Sequence, residues 1–254
     1  MENLCDLLFE LSSAERMNML NCLRDERLKL SHLAKRLDMT VTETSRHLQR
    51  LSDADIVARD ADGTYSLTAL GGLVLQLLGG LSFVSDHGHY FNGHSMSSLP
   101  PGFIHRLGEL AGSRLDEDTV KVFEHARNML LGAEEYIWVQ SYQHLLWNNP
   151  IILEKMRGGV DFRFILPSDV EPPPDYKPDP ATMSRTRTLD RVEVRVALTE
   201  KEASLSFPRT DGSVDYAAFI SGDPGFRTWC RDLFMHFWEK ANPSASALID
   251  GPRN

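Results

Sequence analysis

Apolar residues in the first part of the chain recur at helical spacing. Over residues 4–23 they fall every three or four positions, which predicts one interrupted helix or two. Two further helices are predicted over 32–37 and 41–52, on either side of a tight turn at 38–40. This order of helix, helix, turn and helix is typical of a helix-turn-helix motif.

The predicted helix over 41–52 has a marked start and is followed by a pair of strands. Thr40 and Glu43 fit a capping box, in which the threonine hydroxyl and the glutamate carboxylate each satisfy a free backbone amide. The strand-like runs 56–59 and 64–68 lie on either side of the turn-rich residues 60–63. Together these elements predict a winged helix-turn-helix domain over residues 1–82.

The pattern changes after the wing. Residues 83–116 are predicted to form a connector and helical linker. Strands then alternate with helices over 117–242, which predicts an α/β sensor or oligomerisation domain, and 243–254 are expected to be a flexible tail. Six of the 13 prolines fall in 167–180, so an irregular loop is expected there. The expected fold class is therefore mixed α and β, with a winged helix joined to an α/β domain.

The outer face of the predicted helix over 41–52 carries polar groups suited to DNA. Arg46 is the best candidate for a base contact, because its forked guanidinium can pair with O6 and N7 of guanine. Short hydroxyl side chains near the helix start could reach phosphate or a thymine methyl, and Glu43 is assigned mainly to the capping box. The expected DNA-contacting residues are Lys35, Thr40, Thr42, Thr44, Ser45, Arg46, His47, Gln49, Arg50, Arg59 and Thr64.

Charge is unevenly distributed along the chain. The 254 residues carry a formal net charge of -9, which argues against a general polyanion binder. Residues 24–59, however, contain eight basic and six acidic side chains, a net charge of +2 that leaves -11 for the rest. This small local excess predicts a modest affinity for each subunit and favours a homodimer that doubles the contacts with double-stranded DNA.

Two resemblances support this interpretation. Ser45-Arg46-His47-Leu48, followed by Leu51 and Ile56-Val57, resembles ArsR-like winged-helix regulators. Over about residues 5–242 the chain resembles the archaeal Fil-type methanogenesis regulator family. The motifs that carry this second resemblance include Leu99-Pro100-Pro101-Gly102-Phe103, Leu107-Gly108-Glu109-Leu110, Phe162-Arg163, Asp211-Gly212, Asp215-Tyr216, Trp229, Leu233-Phe234 and Phe237-Trp238.

The resemblance implies an archaeal, cytoplasmic transcriptional regulator whose second domain binds a small-molecule or protein effector. In the wider class of such regulators, that domain is similar to the phospholipase D fold without its catalysis. The sequence agrees, since none of the nine histidines stands in the H-x-K pattern that phosphodiester chemistry needs. Serine-elbow, phosphate-loop and zinc-protease motifs are also missing, so no enzyme is expected. The alternatives are an interaction adaptor whose winged helix does not read DNA and a degenerate phosphodiesterase.

A ligand site is predicted at the end of a strand in the second domain, because ligands of α/β sheets commonly meet the carboxyl ends of strands. The arginines in this set are possible anion partners, although both could equally face solvent. The expected ligand residues are Trp138, Gln140, Tyr142, Arg163 and Arg195.

No cofactor and no metal site is expected. His87, His89 and His94 have a spacing that could close around Zn²⁺, but structural or solvated roles are favoured for them. The three cysteines are read as reduced thiols. No membrane is expected, because the longest apolar stretch, 70–84, is shorter than the roughly 18–20 residues that a span requires.

Overall fold

The computed structural model describes residues 4–142, 150–169, 184–213 and 215–243. The predicted proline-rich loop lies mostly outside these residues, and so does all of the expected tail except Pro243. The chain forms two compact units, residues 1–79 and 80–254. The fold class is mixed α and β as predicted, with helices dominating the first unit and a large sheet in the second.

The first unit is a winged helix. Its helices are α1 (Leu4–Leu11), α2 (Ala14–Asp25), α3 (Leu30–Arg36) and α4 (Val41–Asp53), and its strands are β1 (Leu28–Lys29), β2 (Val57–Arg59) and β3 (Thr64–Leu67). The strands pair antiparallel in the order β1-β3-β2. Met19 and Leu20 of α2, Leu33 of α3 and Leu48 and Leu51 of α4 are buried in one core. Apolar burial therefore fixes α4 with one face inward and the other outward.

Helix α5 (Ala69–Asp86) follows the wing, and the boundary between the units falls within it. It is 18 residues long with a hydropathy of 1.4, and 22% of it is buried. By length and composition this helix could cross a membrane. The expectation that the apolar stretch is too short for a span is therefore wrong. Core helices of soluble proteins also pass this test, and Val74 and Leu75 are buried in the first unit.

The second unit is built around an eight-stranded sheet in the order β11-β7-β6-β5-β8-β9-β10-β4. Strands β5, β6 and β7 are parallel to one another, whereas the other pairs are antiparallel. The strands are β4 (Arg114–Asp116), β5 (Tyr136–Gln140), β6 (Asp161–Pro167), β7 (Thr186–Leu189), β8 (Arg195–Thr199), β9 (Ala203–Ser206), β10 (Ala218–Ser221) and β11 (Asn242–Pro243). The helices are α6 (Gly88–Phe91), α7 (Pro101–Ile104), a 3₁₀ turn (Leu107–Leu110), α8 (Thr119–Gly132), α9 (Pro150–Arg157) and α10 (Pro224–Lys240).

Side-chain alternation divides this sheet between two cores. Val196 and Leu198 of β8 pack with Trp229 and Leu233 of α10. Ala197, between them, packs on the opposite face with residues of α8 and α9. The sheet is thus covered by α10 on one face and by α8 and α9 on the other, and we call these the α10 face and the α8 face.

Residues 83–116 differ from the expected connector. Phe83, Tyr90 and Phe103 are buried in the core of the second unit, and β4 forms the edge of its sheet. The segment is polar overall, but its few aromatic residues face inward. Strand β7 was not predicted either, because threonine and arginine alternate there and only the last residue of the strand is apolar.

Candidate nucleic-acid interface and ligand site

Helix α4 is held at its start by the predicted capping box. The Thr40 hydroxyl accepts a hydrogen bond from the Glu43 amide at 3.2 Å, and the Glu43 carboxylate accepts from the Thr40 amide at 3.2 Å. The Thr40 hydroxyl also donates to this carboxylate at 2.8 Å, and these hydrogen bonds lower the pKa of Glu43. The carboxylate is therefore ionised and bound to the helix start.

The outward face of α4 lines an open groove of about 600 Å³. Thr42, Ser45, Arg46 and Gln49 contribute polar groups to it, and Val41 adds an apolar one. Arg46 is exposed and has no hydrogen bond or ion pair within the described part of the chain. The Val41 side chain is 54% exposed, because this residue occupies the first turn of α4, before the helix meets the core.

Two of the expected DNA contacts on α4 are placed differently. Thr44 is fully buried and its hydroxyl donates to the Thr40 carbonyl at 2.9 Å, so it is removed from the contact set. His47 is half-buried, and its Nδ1 is buried with no hydrogen-bond partner in the part of the chain that the structure describes. Burial, with Arg46 and Arg16 nearby, lowers the pKa of His47, so the ring adds no positive charge at neutral pH.

Arg50 is engaged inside the unit. Its Nε and Nη2 donate to the two carboxylate oxygens of Glu10 at 2.9 and 2.6 Å, and its guanidinium lies 5.2 Å from the centre of the Phe9 ring. This two-point ion pair joins α4 to α1. The DNA contact expected of Arg50 would therefore compete with Glu10.

The remaining expected contacts lie on α3 and the wing. Lys35 is exposed, and the Arg59 guanidinium lies 5.7 Å from the centre of the Tyr65 ring. The Thr64 hydroxyl donates to Asp62 at 2.7 Å in the turn between β2 and β3. Gly63 has a φ of 82° in that turn, a conformation that favours glycine.

Ion pairing reduces the local charge available to DNA. Of the eight basic residues over 24–59, Arg27 pairs with Asp60 at 2.9 Å, Arg36 with Glu26 at 2.7 Å, and Arg50 with Glu10. The other five, Arg24, Lys29, Lys35, Arg46 and Arg59, have no ion-pair partner in the part of the chain that the structure describes. Three of these five, Lys35, Arg46 and Arg59, lie on α3, α4 and the wing.

The predicted ligand residues of the second unit fall on both faces of the sheet. Trp138 and Arg163 are register partners on β5 and β6, and Trp138 stacks on Phe234 of α10, which places both on the α10 face. The Arg163 guanidinium lies 4.3 Å from the centre of the Trp138 ring, and its Nε donates to Asp161 at 3.2 Å. Arg163 is therefore already paired and covered, which argues against it as an anion partner.

Gln140 shares the α10 face, whereas Arg195 lies on the α8 face. Gln140 is the register partner of Val196, and its Nε2 donates to the Val194 carbonyl at 2.9 Å. Its Oε1 is buried without a partner. The Tyr142 hydroxyl donates to the Asp215 carbonyl at 2.9 Å. The five residues thus do not form one site.

The three histidines considered for metal binding have separate partners. His87 Nδ1 lies 3.0 Å from the Phe83 carbonyl, His89 lies 3.5 Å from Glu117, and His94 Nε2 lies 2.9 Å from Asp215. Among the described residues, no group of three or more His, Cys, Asp or Glu side chains could hold a metal ion.

Residues 5–82 match the family described as the HVO_A0261 N-terminal domain. No curated protein matches the chain. Among solved structures, the chain is similar to the archaeal chromatin protein TrmBL2, with 13% identity, 91% of this chain and 94% of the other covered, and a TM-score of 0.44. It is also similar to an IclR transcriptional regulator from Alicyclobacillus acidocaldarius, with 11% identity, coverage of 94% and 97%, and a TM-score of 0.29. A third similarity is to CalO1, a methyltransferase of calicheamicin biosynthesis, with 14% identity, coverage of 72% and 61%, and a TM-score of 0.25.

Proposed function

We propose that this protein is a cytoplasmic, sequence-specific regulator of transcription that binds double-stranded DNA through α4 and the wing. The observation that carries the proposal is the outward face of α4, where Arg46 is exposed and unpaired beside Thr42, Ser45 and Gln49. Helix α4 is anchored by Leu48 and Leu51, so this face is presented on a rigid support. We assign no catalytic activity to the protein.

Each side chain on this face suits a different part of the duplex. Arg46 can read guanine through two parallel hydrogen bonds, a contact worth about 1–3 kcal/mol of discrimination. Val41, exposed in the first turn of α4, can pack against a thymine methyl. Lys35, Arg59 and the hydroxyls of Thr40 and Thr42 suit phosphate contacts that position the helix without reading bases.

The DNA proposal is tested with a fragment library of the source genome. After selection of bound fragments, we expect Arg46→Ala to lower affinity for the preferred site by about 5- to 150-fold and to relax one base position. Lys35→Ala should weaken all sequences alike and reduce the salt slope by about one. Arg191→Ala, which removes an exposed arginine of the second unit, is the charge-matched control.

The outcome also discriminates between the candidate functions. Arg46→Ala binding the selected fragments as tightly as the unchanged protein would contradict the assignment of α4. If the unchanged protein binds no fragment at low salt, the interaction adaptor becomes the better interpretation. Hydrolysis of a phosphodiester substrate would instead favour the degenerate phosphodiesterase.

We also propose a homodimer that forms through α5. Leu70, Leu73 and Leu77 recur at intervals of three and four residues, and they are 40%, 54% and 70% exposed. No charged residue occurs from 69 to 85, so this stripe is apolar throughout. A second copy of the chain would cover it and double a DNA footprint that is small in one subunit. Two copies would then read half-sites about 34–36 Å apart, or a multiple of that distance.

Sedimentation of the full chain tests the dimer. We expect the unchanged protein to sediment as a dimer and a Leu73→Glu/Leu77→Glu variant to sediment as a monomer with weakened DNA binding. Val120→Glu alters a similarly exposed residue of α8 and should leave the dimer intact. A dimer that survives the double change would exclude this surface.

The second unit is proposed to bind an effector that shifts DNA affinity, since a ligand regulates only when it prefers one arrangement of the protein. The resemblance to Fil-type regulators suggests genes of methanogenesis as targets. Mapping of bound sites across the source genome tests this assignment, because sites confined to unrelated genes would contradict it.

A further inference from the structure

The guanidinium of Arg195, in the second unit, lacks a counter-charge among the described residues. Arg195 opens β8 and is partly buried, and its Nη1 is removed from solvent with no hydrogen-bond partner among the described residues. The groups that act on it electrostatically are the hydroxyls of Tyr142 and Tyr216, and no carboxylate of the described residues is among them. A buried charge with no counter-charge is costly, and arginine does not give up its proton at neutral pH.

Ser206 adds a second unsatisfied polar group beside Arg195. The two residues are register partners in the antiparallel pair of β8 and β9, so their side chains lie on the same face of the sheet. Ser206 is 2% exposed, and its hydroxyl is buried with no hydrogen-bond partner in the described ranges. Two neighbouring strands therefore present hydrogen-bond donors to the same place, and neither donor has a partner among the residues that the structure describes.

The surroundings fit a small ligand at the end of the sheet. Arg195 begins β8 and Ser206 ends β9, while the parallel strand β5 ends at Gln140, in the same region of the sheet. The Tyr216 ring lies 5.1 Å from the ring of Phe123 on α8, so α8 covers this face near Arg195. A ligand here would be bound by donors and enclosed by aromatic side chains.

Arg163, the other arginine considered for anion binding, has partners that Arg195 lacks. Arg163 donates to Asp161 and lies between the rings of Trp138 and Trp238, at 4.3 and 5.5 Å from their centres. An arginine with a structural role in this unit thus has both a carboxylate partner and aromatic rings beside its guanidinium. Arg195 has neither a carboxylate partner nor a stacking ring within the described ranges.

We infer that Arg195 and Ser206 form a binding site for an oxyanion, the carboxylate or phosphate group of a small metabolite. Guanidinium matches both groups through paired N–H donors, and the serine hydroxyl supplies a further donor. The site would be the effector site of the proposed regulator. Its regulatory role rests on the proposed function, whereas anion binding does not.

The binding test uses the full chain with sodium phosphate and sodium succinate as probes and with sodium chloride of equal ionic strength as control. Isothermal titration should show binding of at least one probe. Arg195→Met should weaken it by about 10- to 100-fold, the range expected for hydrogen bonds to a charged group. Ser206→Ala should weaken it less, and Arg191→Met, an exposed arginine near the same strand, should leave it unchanged.

Thermal melting provides a second readout that a merely structural arginine would not give. Without a probe, Arg195→Met should melt at or above the temperature of the unchanged protein, because it removes a buried charge that has no partner. With a probe at a concentration that saturates the unchanged protein, the unchanged protein and Arg191→Met should gain more stability than Arg195→Met. A variant that melts lower without a probe and binds both probes as the unchanged protein does would overturn the inference, as would the absence of binding of either probe.

DNA binding measured with and without the bound probe then separates the two proposals. A protein that binds the anion but no DNA retains this site and loses the proposed function. A protein that binds both, with DNA affinity changed in the unchanged chain and constant in Arg195→Met, supports the regulatory role. Binding of phosphate but not succinate identifies the phosphate class, and the reverse result identifies the carboxylate class.

Discussion

Adjacent glycines in α5 provide a sharp test of how the wing is fixed to the helix that follows it. A methyl group added at Gly71 would lie 2.1 Å from the carbonyl oxygen of Ile56, whereas one added at Gly72 would meet no atom within 4 Å. The Ile56 carbonyl cannot easily move, because it accepts hydrogen bonds from the amide and the hydroxyl of Thr68 at 3.0 and 3.2 Å. We therefore expect Gly71→Ala and Gly72→Ala to have opposite effects.

The expected size follows from two contributions. Alanine stabilises a helix relative to glycine by about 1 kcal/mol, and both variants receive this gain. Only Gly71→Ala must also displace backbone by about 1 Å or more, since non-bonded heavy atoms normally lie about 3.5–4.0 Å apart. Overpacking of this kind costs about 1–3 kcal/mol. The helix contribution cancels between the variants, so Gly71→Ala should be less stable than Gly72→Ala by about 1–3 kcal/mol.

Urea denaturation followed by far-ultraviolet circular dichroism measures this difference. All four tryptophans lie after residue 79, so their fluorescence reports the second unit and should be unchanged in both variants. Hydrogen exchange of peptides from 41–53 should quicken in Gly71→Ala alone. Equal stability of the two variants would refute the close approach of α5 to Ile56.

Two further changes test how α4 is held. Glu10→Gln should lower the urea midpoint at pH 7. Because the hydrogen bond from Arg50 holds the pKa of Glu10 below its ordinary value of 4.5, this contribution is present above pH 4.5 and is lost as the pH falls further. The difference from the unchanged protein should therefore shrink as the pH falls below 4.5, and a difference that stays constant with pH would contradict the ion pair. Thr40→Ala should cost about 1 kcal/mol in the same urea assay, whereas Thr40→Ser should retain most of the stability, since both hydroxyls can cap the helix. Equal losses in the two Thr40 variants would show that the methyl group, and not the cap, stabilises α4.

The winged helix could be predicted from sequence because its signals are local. The capping box joins residues three apart, and the wing is marked by strand-like runs on either side of Gly63. Strand β7 and the segment 83–116 were missed for the opposite reason. Their places in the second unit depend on pairing and aromatic burial with residues far along the chain, such as Phe219 beside Tyr90 at 4.9 Å. No local pattern encodes such contacts.

The same distinction explains the errors at the proposed DNA surface. The spacing of apolar residues predicts which face of α4 is buried and which is exposed. It does not show that Glu10, forty residues before Arg50, neutralises that arginine. It also placed Thr44 and Ser45 alike in the contact set, since adjacent residues at the edge of a helix face differ only through their tertiary contacts. Thr44 is buried because its hydroxyl is satisfied by the Thr40 carbonyl, which leaves Ser45 outside.

Whether an arginine of this protein can bind a ligand depends more on the partner it already has than on its position in a helix or strand. Arg50 and Arg163 are arginines, a residue type that often binds anions, yet each already has a carboxylate within hydrogen-bond distance. An anion would have to displace that carboxylate and would gain little. Arg46 is exposed without a partner and suits a ligand that arrives from solvent, as DNA does. Arg195 is partly buried and its Nη1 has no partner among the described residues, and an unpaired charge in that environment favours a small anion that can enter with it.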